Sequence, residues 1–197
     1  RPLLGTQDEG AYAWTTYGQF LERVESFASG LIPLLPDREC SVAICAGNVV
    51  EWLVADWACI RAGVLSVPIH TNRAADEDTV RHIVRALAVR VAVCSTSHHA
   101  LFERCGAKVV IAVPCDGPSP AHVQSFASVE ASGRRTEHRA AAYTHPDKKL
   151  TVFFSSGSTG TPKGVALTES EMLSDLTDVA KDEDDGESTP PVQLAIY

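Results

Sequence analysis

Short apolar runs alternate with stretches of helical spacing along most of this chain, and that alternation admits few folds. Ser41–Cys45, Val64–Ile69, Arg90–Cys94, Lys108–Val113 and Leu150–Phe154 read as strands. Runs such as Ser41–Cys45 are continuously apolar, as in strands of a parallel sheet covered on both faces. Thr16–Leu31 carries Tyr17, Phe20, Leu21, Val24, Phe27, Ala28 and Leu31 at helical intervals, with Thr16 and Gln19 spaced as a capping box and Pro33 and Pro36 beyond its end. Asn48 is placed to cap a second helix reaching Arg61, with Gly63 as its stop. Asp76–Leu87, with acids in its first turn, and His98–Arg104 complete the helices between strands. Residues 114–146 are rich in turn formers, with a short helical turn expected over Val123–Ala131. Val165–Leu167 reads as a short strand, Thr168 as the cap of a helix to about Ala180, and Val192–Tyr197 as the start of another strand. Strands separated by helices of about three turns predict an α/β fold: a layered, parallel-rich sheet flanked by helices. Ligands of such sheets gather at the carboxyl ends of the strands.

One strand end stands out. Leu150–Phe154 opens into Ser155, Ser156, Gly157, Ser158, Thr159, Gly160, Thr161, Pro162, Lys163 and Gly164. Small residues let the backbone approach a polyanion, and N–H groups and hydroxyls can donate to its oxygens. Lys163 adds a compact, mobile positive charge suited to phosphate. The loop is not a Walker loop, because Pro162 and Gly164 flank the lysine where that motif needs Gly and Ser or Thr. By composition alone such a loop serves as a phosphate site or a flexible linker equally well.

Charge is unevenly placed. The net charge is −8, and the residues from Thr168 onward, with nine acids against Lys181, account for all of it. The remainder is neutral and has no basic footprint for nucleic acid. The acids Asp182, Glu183, Asp184, Asp185 and Glu187, set among Gly186, Ser188, Thr189, Pro190 and Pro191, read as a solvated linker over 182–191. Residues 1–181 then form one unit and 192–197 begin a further strand. No apolar run reaches the roughly 20 residues of a membrane helix, and no signal-peptide pattern opens the chain. Cys40, Cys45, Cys59, Cys94, Cys105 and Cys115 are scattered without a C-x-x-C pair and read as reduced, buried thiols, which suits the cytoplasm.

The ten-residue string Ser155–Gly164 resembles the phosphate-binding signature of the adenylate-forming (AMP-binding) enzymes. That superfamily includes acyl-CoA synthetases, luciferases, peptide-synthetase adenylation domains and carboxylic acid reductases. The resemblance extends to Thr15-Thr-Tyr-Gly-Gln-Phe, Ser41-Val-Ala-Ile-Cys-Ala-Gly-Asn, Glu51-Trp-Leu-Val-Ala-Asp-Trp-Ala-Cys and Gly63-Val-Leu-Ser-Val-Pro-Ile. Arg81-His82-Ile83-Val84 and the placement of Asp147 and Leu150 follow the same pattern. These segments are most like long-chain acyl-CoA synthetases and carboxylic acid reductase adenylation domains. The resemblance implies that a carboxylic acid, in the first instance a fatty acid, reacts with ATP and Mg2+ to give acyl-adenylate and pyrophosphate. Coenzyme A or a carrier-protein pantetheine then takes the acyl group. It assigns Ser155, Ser156, Gly157, Ser158, Thr159, Gly160, Thr161 and Lys163 to the β- and γ-phosphates.

The family's later motifs supply the adenine and ribose contacts, a magnesium-binding glutamate, a hinge and a catalytic lysine, and none is assignable up to Tyr197. The expectation is therefore an N-terminal fragment, clipped at its start, that neither adenylates nor binds ATP tightly alone; no catalytic or metal-ligating residue is assigned. The alternatives are the adenylation domain of a carboxylic acid reductase or a polyketide-type megasynthase, and a truncated, non-catalytic homologue that binds a partner. His70, His98, His99 and His145 show no paired metal-ligand spacing and read as exposed or hydrogen-bonded side chains. Trp14, Trp52 and Trp57 read as packing residues, and Arg134, Arg135, Arg139, Lys148 and Lys149 as surface charge.

Overall fold

The computed structural model describes residues 2–8, 11–37, 39–113, 118–136, 145–155, 163–174 and 194–196. Its centre is β3 (Ser41–Cys45), buried at all five positions. It is flanked in parallel by β4 (Leu65–Pro68) and β5 (Val89–Ser95). With β6 (Val109–Val113), β7 (Gln124–Ser125), β8 (Lys149–Ser155) and β9 (Lys163–Thr168) they form a seven-stranded sheet, ordered β7-β6-β5-β3-β4-β8-β9. All neighbours are parallel except β9, which runs antiparallel to β8. The chain steps from β3 outward to β4, then returns to the other side of β3 for β5, so the topological switch point lies between β3 and β5.

Helices cover both faces, as the crossover rule for parallel strands requires. α1 (Tyr17–Leu31) and α2 (Val50–Ala62) share one core with Val42 and Ile44 of β3. α3 (Glu77–Ala86) and α4 (His99–Cys105) share the other with Ala43 and Cys45. α5 (Phe126–Arg134) returns to the first face and packs on α1. The capping box at Thr16 and Gln19 is formed. Gly63 ends α2 in the left-handed region at φ 74°, its N–H reaching the Cys59 and Ile60 carbonyls. Asp76 caps α3 by accepting the N–H groups of Asp78 and Thr79 at 3.2 and 3.4 Å.

Several expectations are corrected. Asn48 does not cap α2: its N-cap is Val49, which makes no side-chain cap bond. The helical turn expected over Val123–Ala131 is α5, three residues later, because Gln124 and Ser125 first pair with β6 and Ser125 then accepts the Ser128 N–H. Tyr17 and Leu21, placed on the apolar face of the first helix, are 49% and 57% exposed. β1 (Pro2–Asp8) and β2 (Ala11–Thr16) form a hairpin that the polar N-terminal sequence did not announce. β1 pairs in parallel with β10 (Leu194–Ile196), giving a separate three-stranded sheet. After Thr168, residues 169–174 are helical. Residues 175–193, with the acidic stretch, lie outside the described residues.

The α1–α5 contact has no room for a side chain at two glycines. A Cβ on Gly133 would lie 1.7 Å from the Ser26 carbonyl oxygen, and one on Gly30 would lie 2.1 Å from that of Val129. The backbones meet there, while Phe27 and Phe126 stack with centroids 4.0 Å apart. Beside them Arg23 donates to both carboxylate oxygens of Glu130, at 3.0 and 3.2 Å, and to Glu51 at 2.7 Å, linking α1, α2 and α5. Such a fork is geometrically specific, and removing one partner would strand a charge at Glu130, whose side chain is 9% exposed.

Where β4 meets β8 the sheet is polar. Ser66 and Thr151 are register partners, and both are buried. Ser66 donates to Asp56 of α2 at 2.5 Å, whereas Thr151 Oγ1 has no hydrogen-bond partner among the described residues. Burial pushes the Asp56 carboxyl above its ordinary 3.8, with the Ser66 hydroxyl opposing that shift.

Two predictions follow from these packings. Gly133→Ala is expected to destabilise the fold by about 1–3 kcal/mol through overpacking against backbone, read as a lower urea midpoint at unchanged slope. The raised pKa of Asp56 means that its contribution to stability is complete below the unfolded value and is lost as pH rises through the folded one. Asp56→Asn should therefore gain stability over the unmodified chain near neutral pH, with the gain shrinking in acid. Urea melts at a series of pH values measure this, and a pH-independent difference would contradict it.

Candidate functional site

The β8–β9 hairpin carries the loop singled out from the sequence. Its last pair sets Ser155 opposite Lys163, so the chain between them leaves and re-enters the sheet at the carboxyl end of β8. Of the residues expected to hold phosphate, Ser155 closes β8 and Lys163, with an exposed side chain, opens β9. Ser156, Gly157, Ser158, Thr159, Gly160 and Thr161 lie outside the described residues. The stem itself is tight, since a Cβ on Gly164 would approach Val152 Cγ1 to 3.0 Å. Lys148 anchors the start of the hairpin by donating to the Gly63 carbonyl at 2.7 Å, at the carboxyl end of α2 where a cation is favoured.

Beside the hairpin is a cleft of about 280 Å³. Its walls come from three strand ends: Gly47 and Asn48 after β3, His70 and Arg73 after β4, and Phe153 and Phe154 on β8. It lies at the carboxyl ends of parallel strands, where ligands of such sheets gather, on the β4 side of β3 and not at the β3–β5 switch point. The walls are mainly apolar and aromatic, the common make-up of a small-molecule site. Arg73 is the charged residue among them, and no carboxylate lines the cleft among the described residues. The electrostatics suit an anion.

Arg73 and Phe153 were not legible as site residues, because their meeting depends on which strands are neighbours. His70 lines the cleft and its Nδ1 accepts the Asn72 N–H at 3.2 Å. Trp52 also lines it while packing on the core, whereas Trp57 meets Phe20 edge-on at 6.0 Å. His145 Nδ1 accepts the Asp147 N–H at 3.3 Å. Cys40, Cys45, Cys59, Cys94 and Cys105 are buried free thiols. Burial pushes Cys45 up to about 12 and Cys59 well above its ordinary value, which makes both inert as nucleophiles. Cys115 lies outside the described residues. No described helix is long and apolar enough to cross a membrane.

Comparison with known proteins agrees with this geometry. The chain is 27% identical over 203 residues to long-chain-fatty-acid–CoA ligase 6 of Rattus norvegicus, covering 91% of this chain and 28% of the relative. It is 29% identical over 180 residues to the peroxisomal long chain acyl-CoA synthetase 6 of Arabidopsis thaliana, covering 85% and 25%. The chain thus spans 25 to 28% of the length of these two curated relatives. In fold it resembles the A domain of carboxylic acid reductase from Segniliparus rugosus, solved with AMP and a co-purified carboxylic acid. The TM-score is 0.75 at 19% identity, over 98% of this chain and 37% of that one. A sequence profile described as AMP-binding enzyme matches residues 4–195, and the chain belongs to that family.

Proposed function

We propose that this chain supplies the triphosphate-binding part of an acyl-activating ligase that joins a long-chain fatty acid to coenzyme A through an acyl-adenylate. The observation that carries this reading is the Ser155–Gly164 string mounted on the β8–β9 hairpin, beside a mainly apolar cleft lined by Arg73 and, among the described residues, by no carboxylate. In this account 1–181 belong to a partial N-terminal subdomain, 182–191 form an acidic linker, and 192–197 enter a strand completed by the rest of the domain.

The residues fit ATP by the chemistry of their donors. Ser155, Ser156, Ser158, Thr159 and Thr161 offer hydroxyls, Gly157 and Gly160 let N–H groups approach, and Lys163 adds a charge. Their role is to hold the β- and γ-phosphates while the carboxylate meets the α-phosphorus. Two anions must be brought together, so fixed donors and cations carry much of the rate enhancement. Mg2+ accompanying ATP would neutralise part of the phosphate charge. Phe153 and Phe154 give the cleft an apolar wall suited to the acyl part of the substrate.

Coenzyme A is favoured over a carrier-protein pantetheine because the curated relatives compared above are named as CoA ligases or synthetases. The likeness to a carboxylic acid reductase domain keeps a carrier acceptor as the second reading. The buried free thiols are compatible with a reducing compartment such as the cytoplasm.

The test is ATP–pyrophosphate exchange by this chain joined to the remainder of its domain. Exchange is expected only with a fatty acid present, and Thr159→Ala or Lys163→Met should lower it about 100- to 1,000-fold, the range seen when one preorganised donor is removed. Exchange without any carboxylic acid, or unaltered by both substitutions, would overturn the proposal.

A further inference from the structure

The edge of the sheet farthest from the phosphate loop brings together three ligand-type side chains that the sequence keeps apart. His99 opens α4, Glu103 follows one turn later, and His122 belongs to the segment leading into β7. One nitrogen of each imidazole and one carboxylate oxygen of Glu103 all lie within 4.8 Å of one another. His122 Nε2 is 3.2 Å from Glu103 Oε1. That is close to the roughly 3.3 Å edge between two ligands bound about 2.05 Å from a tetrahedral ion. The two rings meet edge-on, centroids 6.0 Å apart at 65°.

The orientation of His99 is fixed from outside the cluster. Its Nδ1 lies 2.7 Å from the Thr96 carbonyl oxygen. A carbonyl only accepts, so Nδ1 carries the hydrogen, and in the neutral ring Nε2 is the nitrogen with the free lone pair. Metal-binding imidazoles are commonly held this way, the second nitrogen donating to a carbonyl. The side chains of Glu103 and His122 are 40% and 65% exposed, so an ion and a completing water can reach them.

We propose that His99, Glu103 and His122 form a binding site for a divalent transition-metal ion of the zinc type, three protein ligands with water in the fourth position. Two imidazoles and one carboxylate favour zinc, nickel or copper over magnesium or calcium, which prefer all-oxygen sets. The ion takes the place of the hydrogen that His122 Nε2 donates to Glu103, and the neutral ring carries that hydrogen on Nδ1 instead. The bound ion fastens the segment before β7 to α4. It thereby pins the sheet edge, where β7 is two residues long, and the approach to α5. β7 and β8 are five strand spacings apart, on the order of 24 Å, so this ion is separate from any that accompanies ATP.

Metal-free full chain titrated with Zn2+, Co2+ and Mg2+ tests the site. The expected result is one zinc per chain by calorimetry and cobalt d–d absorption without a thiolate charge-transfer band, with no comparable binding of magnesium. His122→Ala and Glu103→Gln, both exposed positions, should each weaken zinc at least tenfold while leaving the circular dichroism unchanged. The proposal is overturned by absence of saturable zinc binding, by affinity unaltered in either variant, or by a thiolate band that assigns the ion to cysteine.

Discussion

Burial of β3 on both faces is the constraint from which the rest of the structure follows. Val42 and Ile44 turn to the core under α1, α2 and α5, while Ala43 and Cys45 turn to the core under α3 and α4. A strand buried at every position cannot border solvent on either face, so the crossovers lay helices on both. Parallel neighbours on both sides of β3 then put the ends of β3, β4 and β8 at one edge of the layers, where the cleft and the loop-bearing hairpin meet. The position of the site is thus a consequence of the core.

Polar groups within this apolar frame do separate work. The Arg23 fork fixes how α1, α2 and α5 sit relative to one another, and the two glycines at the α1–α5 crossing let the backbones close on it. At the opposite corner Glu77 gathers Arg81 and Arg104, tying α3 to α4. The hydrogen bond from Arg104, with the charges of both arginines, holds the Glu77 carboxyl below its ordinary range. That pairing lies at the surface, where ion pairs contribute little. The Asp56–Ser66 contact is different in kind, because burial there works against the charged carboxylate.

Much of this was legible in the sequence because it is local. Runs such as Ser41–Cys45 gave strands, the Thr16–Gln19 spacing gave a capped helix, and Gly63 gave a stop. The Ser155–Gly164 string, expected to hold phosphate, stands out from ten consecutive residues without knowing what surrounds them. What escaped is non-local. The polar stretch at Gly5, Thr6 and Gln7 becomes a strand only because β2 and β10 lie beside it, the latter contributed from nearly the other end of the chain. Gln124 and Ser125 are strand residues only through β6. The walls of the cleft and the His99–Glu103–His122 cluster likewise depend on tertiary neighbours, since no spacing in the sequence couples position 99 to 122.

The loop between β8 and β9 is proposed to hold the β- and γ-phosphates of ATP. Comparing ATP with AMP tests this most directly, because AMP lacks those two groups. Calorimetric affinities of both would be measured in the protein carrying the remainder of its domain, with and without the Thr159→Ala, Lys163→Met pair. ATP binding is expected to weaken at least tenfold while AMP binding is unchanged. Equal weakening of both nucleotides, or of neither, would contradict it.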